Sequence, residues 1–248
     1  MPMLFNSRRW WAFPICAILV WEVLAQGGFL YGRWPSLISV GTQLIRDWHS
    51  ILWAAVRTVW QVILAVVIGA LGVPLGVLLA ESKWKIGGLY ETLSGLKAVP
   101  VTVLIPVFLS LFGLENFIIP LVALPIFLNF CVNTAQAVTQ ASQSRLRLLH
   151  SWSVSYKTYL LHVLPFECLD AMLQTARVML PFAIALHIAL DYFLCIPNGL
   201  GCYVSQAYSY NDHARMYAAV LVVGISGLSL GAIIDVASRR FLKWKRDM

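Results

Sequence analysis

The sequence predicts an all-α membrane protein of about six spanning helices, and three observations carry that reading. Of its 248 residues, 60% are hydrophobic and 12% charged, about half the charged share of a soluble domain. Several windows exceed the ~18 apolar residues that mark a spanning helix. The basic residues fall at alternate ends of those windows. Arg8, Arg9, Lys83, Lys85, Lys97, Arg145, Arg147, Lys157 and the closing cluster Arg239, Arg240, Lys243, Lys245 and Arg246 are 13 of the 18 Lys and Arg, and a six-span chain puts them on one side. The opposite loops hold only Arg33, Arg46 and Arg215. Such asymmetry places the basic side, and both termini, in the cytoplasm. The net charge of +7 is thus a topology signal. Without a basic patch interleaved with aromatics, nucleic acid is not a predicted partner.

The first span covers about residues 10–30, read as a retained helix because its apolar run is long and has no small-x-small cleavage site. An outer interfacial segment follows. The second span, about 51–80, is long enough to tilt, and Pro74 with Gly69, Gly72 and Gly76 is expected to bend it. The third, "LKAVPVTVLIPVFLSLFG", is interrupted by Pro100 and Pro106. The fourth covers about 117–138, with Pro120 and Pro125. A polar inner stretch comes next, then a fifth span over about 164–189, a looser outer segment, and a sixth over about 215–236. The units are therefore 1–50 (first helix and outer segment), 51–240 (five-helix core with an inner segment at 141–163) and 241–248 (basic tail).

Every loop is short. No GxxxxGK[ST] phosphate loop, HExxH motif or nucleophile elbow is present, and Asp and Glu are scattered, so the chain reads as a non-enzyme. The cysteines make no metal signature. Cys16 and Cys131 read as small apolar packers; Cys195 and Cys202 bracket an outer loop and are open between a disulfide and free thiols.

The inner stretch "SWSVSYKTYLLHVLP" is too apolar for a simple linker and too polar to span. A helix over about 146–156 would lie on the inner membrane face, either as an interfacial anchor or as a docking element with Trp152 and Tyr156 at i, i+4. Arg177 falls about 20 Å into the fifth span, where a cation costs about 2.5–3.5 kcal/mol. It is either paired with Asp170 or a helix end, or placed beside a pathway for an anion. Lys97, Thr102, Asn129 and Asn133 are candidate pathway polars, and the two asparagines share a helix face; interhelical hydrogen bonding is the other use of such residues. Glu22 inside the first span needs a partner. Asp191 either caps a helix or contacts an outer partner. Arg57 is close enough to the outer surface to snorkel.

In order, "GALGVPLGVLLAESK", "LKAVPVTVLIPVFLSLFGLEN", "LPFECLDAMLQTARVML" and "NGLGCYVSQAY" resemble the permease subunit of binding-protein-dependent ABC importers of the sulfonate, taurine and nitrate type. The resemblance covers most of the chain. It implies a type I importer permease in the bacterial cytoplasmic (inner) membrane, passing a small anionic solute. The implied partners are a cytoplasmic ATPase dimer carrying ATP and Mg, a second permease copy or paralogue, a solute-binding protein and membrane lipid. No cofactor is expected on this chain. The resemblance makes the inner stretch the ATPase-coupling segment, with Arg147, Ser151, Trp152, Ser153, Tyr156, Lys157, Leu164 and Pro165 in it. The usual Glu-Ala-Ala and Gly signature is absent: Leu146, Arg147, Leu148 and Trp152 occupy those positions, and only Leu164-Pro165 matches. A stand-alone channel or carrier and a non-transporting scaffold are the rival readings. On the coupling reading, Trp152→Ala or Tyr156→Ala is expected to reduce transport and ATPase retention while the fold survives. Unchanged values of both, measured in membranes, would contradict it.

Overall fold

The computed structural model describes residues 12–27, 33–81, 87–151, 155, 158–159 and 164–241. In chain order the helices are α1 (Ala12–Gln26), α2 (Leu37–Arg46), α3 (Trp48–Gly69), α4 (Gly72–Glu81), α5 (Gly87–Leu96), a 3-10 turn (Val101–Leu104), α6 (Ile105–Asn116), α7 (Ile118–Ser151), α8 (Leu164–Leu194), α9 (Leu200–Ser209) and α10 (His213–Phe241). Among the described residues, Trp48–Ala80, Ile118–Thr139, Leu164–Leu194 and His213–Arg240 are long and apolar enough to cross a membrane, and a bent pair makes a possible fifth span. The chain is an all-α, multi-pass membrane protein.

The second, fourth, fifth and sixth spans stand where the sequence places them. The first is described over Ala12–Gln26 only, short of the ~20 residues a crossing needs. The third departs from a simple interrupted helix. Gly88–Leu96 and Val101–Asn116 meet at 91°. Pro100 has no N–H with which to continue a helix and disfavours helical geometry in the residue before it, and α5 ends at Leu96. Gly113, at φ +72°, breaks the run again inside α6. The second span is α3 followed directly by α4, with a turn at Ala70–Leu71.

In α7, 67% of the spanning window is buried, against 17–33% in the other three clear spans. It is the central helix. Leu121, Val122, Ile126 and Phe130 pack against Val62 and Ala65 of α3 and Leu180, Ala183 and Ile184 of α8. The glycines expected to bend the second span chiefly set a distance. A Cβ on Gly72 would lie 2.2 Å from the Phe127 carbonyl oxygen, and one on Gly76 2.4 Å from that of Cys131. Small residues at such a face let two helix backbones approach where lipid supplies no hydrophobic drive between helices. The outward residues Val67, Val103, Leu111, Leu228 and Ile233 are exposed, as suits a lipid-facing surface.

The outer ends are tied by polar contacts. Glu22 Oε2 accepts from the Leu37 N–H, 3.2 Å away, so this intramembrane carboxylate caps α2. Asp47, at the α2–α3 junction, accepts from the Tyr203 hydroxyl at 2.6 Å and the Gln43 amide at 2.9 Å, and pairs with Arg215 at 3.1 Å. The Arg215 guanidinium lies 4.4 Å from the centre of the Tyr203 ring. The Tyr203 hydrogen bond, helped by Gln43 and Arg215, holds the Asp47 carboxyl below its ordinary 3.8 against the opposing effect of burial. Burial, with the bond to Asp47, pushes the Tyr203 phenol up to about 12.

Two outcomes are expected. Gly72→Ala must part α4 from α7 and should destabilise by about 1–3 kcal/mol, the usual cost of overpacking. Gly88→Ala, with nothing within 4 Å of the added carbon, should melt like the parent in the same detergent. A depressed Asp47 stabilises the fold fully above pH 3.8, and that contribution is lost as pH falls through the lower folded value. Melting curves across the acid range should therefore fall for the parent more steeply than for Asp47→Asn.

Candidate functional site

A cavity of about 450 Å³ opens between α7 and α8. Its polar lining is Asn129, Asn133 and Gln136 from α7 and Asp170, Gln174 and Thr175 from α8. Asn129, Asn133 and Gln136 recur at helical spacing, so α7 presents amides as a stripe on one side while Val122, Ile126 and Phe130 fill the core on another. Asn133 Nδ2 donates to Thr175 Oγ1 across the two helices at 3.0 Å. Gln174 donates to Asp170 at 3.1 Å, Asn129 returns to the Pro125 carbonyl at 2.8 Å, and Gln136 donates to the Tyr90 hydroxyl of α5 at 2.6 Å. Asn133 and Thr175 stand about 22 Å and 17 Å along α7 and α8 from Ile118 and Leu164. With both helices crossing in opposite senses, the cleft occupies the middle and inner half of the spans.

The structure thus brings Asn129 and Asn133 of the expected pathway residues together. Asn133 bridges two helices through its bond to Thr175 and also lines the cleft. Lys97 and Thr102 are exposed at the α5–α6 bend and outside the cleft lining. Arg177 is also outside it and pairs with Asp235 of α10 at 2.6 Å. That partner lies 58 positions along the chain, and Asp170, the nearer carboxylate in sequence, is instead held by Gln174. The sequence reading missed Gln136, Gln174 and Thr175. Their signal was present, as polar residues at i, i+3 and i, i+4 to those already noted.

In the inner segment, Trp152, Ser153, Tyr156 and Lys157 lie outside the described residues. Arg147 and Ser151 belong to the last turns of α7, which runs unbroken from the fourth span instead of yielding to a separate helix at 146. Leu164 is buried at the start of α8, and Pro165 occupies its first turn, where a missing N–H costs nothing. Tyr159, which the sequence reading passed over, is 2% exposed and packs with Val138, Leu164 and Cys168 beside α4.

At the outer end, Asp191 is buried and accepts from the Gly201 N–H at 2.7 Å. A Cβ on Gly199 would stand 2.0 Å from that carboxylate. Asp191 caps the N-terminus of α9, the first of its two expected roles. Cys195 and Cys202 are joined by a disulfide in the same turn. Arg57 donates to the Pro197 carbonyl. His187, 1% exposed on α8, meets Gln61 of α3 at 2.9 Å. A second cavity of about 340 Å³ opens beside this turn, lined by His49, Trp53, Asn198, Tyr203 and Gln206 among others. Among the described residues, no three His, Cys, Asp or Glu side chains are grouped to hold a metal ion.

The described residues thus form a bundle of spanning helices with an amide-lined cleft. No protein-family model matches the chain. It is 24% identical over 177 residues to an ABC transporter permease protein of Brucella abortus, covering 71% of this chain and 70% of that one. It is 22% identical to an ABC transporter permease protein of Methanocaldococcus jannaschii over 96% of this chain and 92% of that one. With SsuC of Bacillus subtilis, described as an aliphatic sulfonates transport permease, identity is 22% over 77% and 69%. The chain is a distant homologue of ABC transporter permeases, whose permease subunits are non-catalytic membrane components.

If the cleft carries function, Asn133→Leu should reduce transport at least tenfold while the melting temperature falls by only a few degrees. Asn129→Leu should do less, since its amide is spent within its own helix. Uptake in cells, normalised to membrane abundance, checks both.

Proposed function

We propose that this chain is the permease subunit of an ATP-driven importer in the bacterial cytoplasmic membrane, with both termini cytoplasmic. The observation that carries the reading is its homology to ABC transporter permeases over most of its length; a polar cleft in otherwise apolar spans supports it. A solute-binding protein delivers a small solute at the outer face. Two ATPase subunits, holding ATP and Mg, bind at the inner face. One such chain cannot enclose an alternating-access pathway, so a second copy or a paralogue completes it. The small anionic solute is what the resemblance implies; Arg177, a candidate to favour it, pairs with Asp235.

Coupling needs an element that carries movement without bending. Helix α7 suits this role. It begins at the outer face, forms one wall of the cleft and continues to Ser151, and Tyr159 packs against α4, α7 and α8. Closure of the ATPases would then shift the wall of the cleft.

Purification in mild detergent from the native membrane, followed by mass spectrometry of what is retained, tests the proposal. A stoichiometric P-loop ATPase is the expected result, and Tyr159→Ala should weaken its retention. A chain that emerges alone, and stays alone after cross-linking at matched yield, overturns the importer reading in favour of a channel or a scaffold.

A further inference from the structure

Arg177 and Asp235 neutralise each other, yet the pair is not covered: the two side chains are 62% and 36% exposed. The pair also lies inside the spans. Asp235 stands about 8 Å before Arg240, where the α10 span ends. Thr175, two residues before Arg177, bonds to Asn133, which is about 9 Å inside the Thr139 end of the α7 span. Charges at such a depth face the interior of a bundle or water, because hydrocarbon solvates neither ion. The amide cleft opens on the same side. Gln174 and Val178, three residues before and one after Arg177, are exposed and line the cleft. One outward face of α8 thus carries the mouth of the cleft and the ion pair. On α10, Gly231 and Gly227 precede Asp235 by four and eight residues and share its side of the helix. A Cβ added to either would have nothing within 4 Å.

We propose that this face of α8 and α10 seats a second copy of the same chain, which covers the ion pair and closes the open side of the cleft. The permease reading, on which this rests, asks for a second chain; the charges of the face select an identical one. In a closed dimer the same patch meets itself across a twofold axis. An axis along the membrane normal keeps Arg177 and Asp235 of both copies at one depth. The face carries one cation beside one anion, so the twofold operation turns Arg177 of one copy toward Asp235 of the other, and the four charges alternate. The face is therefore complementary to itself. Lipid tails would leave both ions exposed to hydrocarbon. The open glycines let the α10 helix of the second copy approach closely, and small residues at a helix contact supply the packing that membrane association depends on.

The test uses the full chain in its own membranes, with the exposed Cys16 replaced by serine; Cys131 and Cys168 are buried. Gly227→Cys and Gly231→Cys probe the proposed face, and Val67→Cys, exposed on α3, is the control. Air oxidation catalysed by copper phenanthroline joins two thiols held in contact, and mass spectrometry identifies the product. The expected result is a dimer of this chain from either glycine position, at least about fivefold more abundant than from Val67→Cys. Adding Gly231→Leu to Gly227→Cys should cut the dimer at least about fivefold, since it spoils close helix packing between copies. Its membrane abundance should stay unchanged, because within one chain the added Cβ meets nothing. No dimer, equal yields at the control, a product containing a different chain, or a yield indifferent to Gly231→Leu each overturns the proposal. Retention of the ATPase is read separately in mild detergent. Retained ATPase without the cross-linked dimer rejects this surface alone; the dimer without ATPase rejects the importer reading alone.

Discussion

In hydrocarbon, a polar group finds its partner inside the protein or the helix carrying it is expelled. That constraint organises this molecule. Arg177 is carried across the membrane by Asp235 of a different helix, and His187 by Gln61. Glu22 and Asp191 spend their carboxylates on the N-termini of α2 and α9, where the helix dipole and free N–H groups favour negative charge. The Arg177–Asp235 and His187–Gln61 pairings join elements far apart in the chain, so the satisfaction of polar groups also fixes which helices are neighbours. The cleft is where the rule is relaxed, because several amides are gathered with hydrogen-bonding capacity to spare.

Helix α7 is the second organising fact. Glycines on α3 and α4 bring those backbones against Ile126, Phe127 and Cys131, closer than any side chain would permit. The same helix turns its amides toward α8. One face is therefore held by close packing while another remains open, and this allows a rigid wall to border a cleft. The length of α7, continuing past the membrane-spanning part to Ser151, places the cleft and one end of the bundle on a single element. The buried Tyr159 itself packs against residues of α4, α7 and α8.

The outer end is built for rigidity. A clamp of Asp47, Tyr203 and Arg215 joins the α2–α3 junction to α9 and α10, and the Cys195–Cys202 bond closes the turn that Asp191 caps. The outer cavity between His49, Trp53 and Gln206 lies within this braced region. A solute arriving there would meet a preformed surface instead of a loose loop.

Composition and hydropathy by themselves determined that the chain is a helical membrane protein and where four of its spans run, because a bilayer demands long apolar helices. The order of motifs pointed to the permeases that the comparisons also found. Asn129 and Asn133 were legible as a polar stripe, since helical spacing is readable locally. Gln174 and Thr175 joined them only through the packing of α8 on α7. The pairing of Arg177 with Asp235 instead of Asp170 and the burial of Tyr159 were decided by the tertiary structure. In each case the deciding partner is remote in sequence or the geometry is set by neighbours, and a pattern of residues along one chain carries no distance between helices.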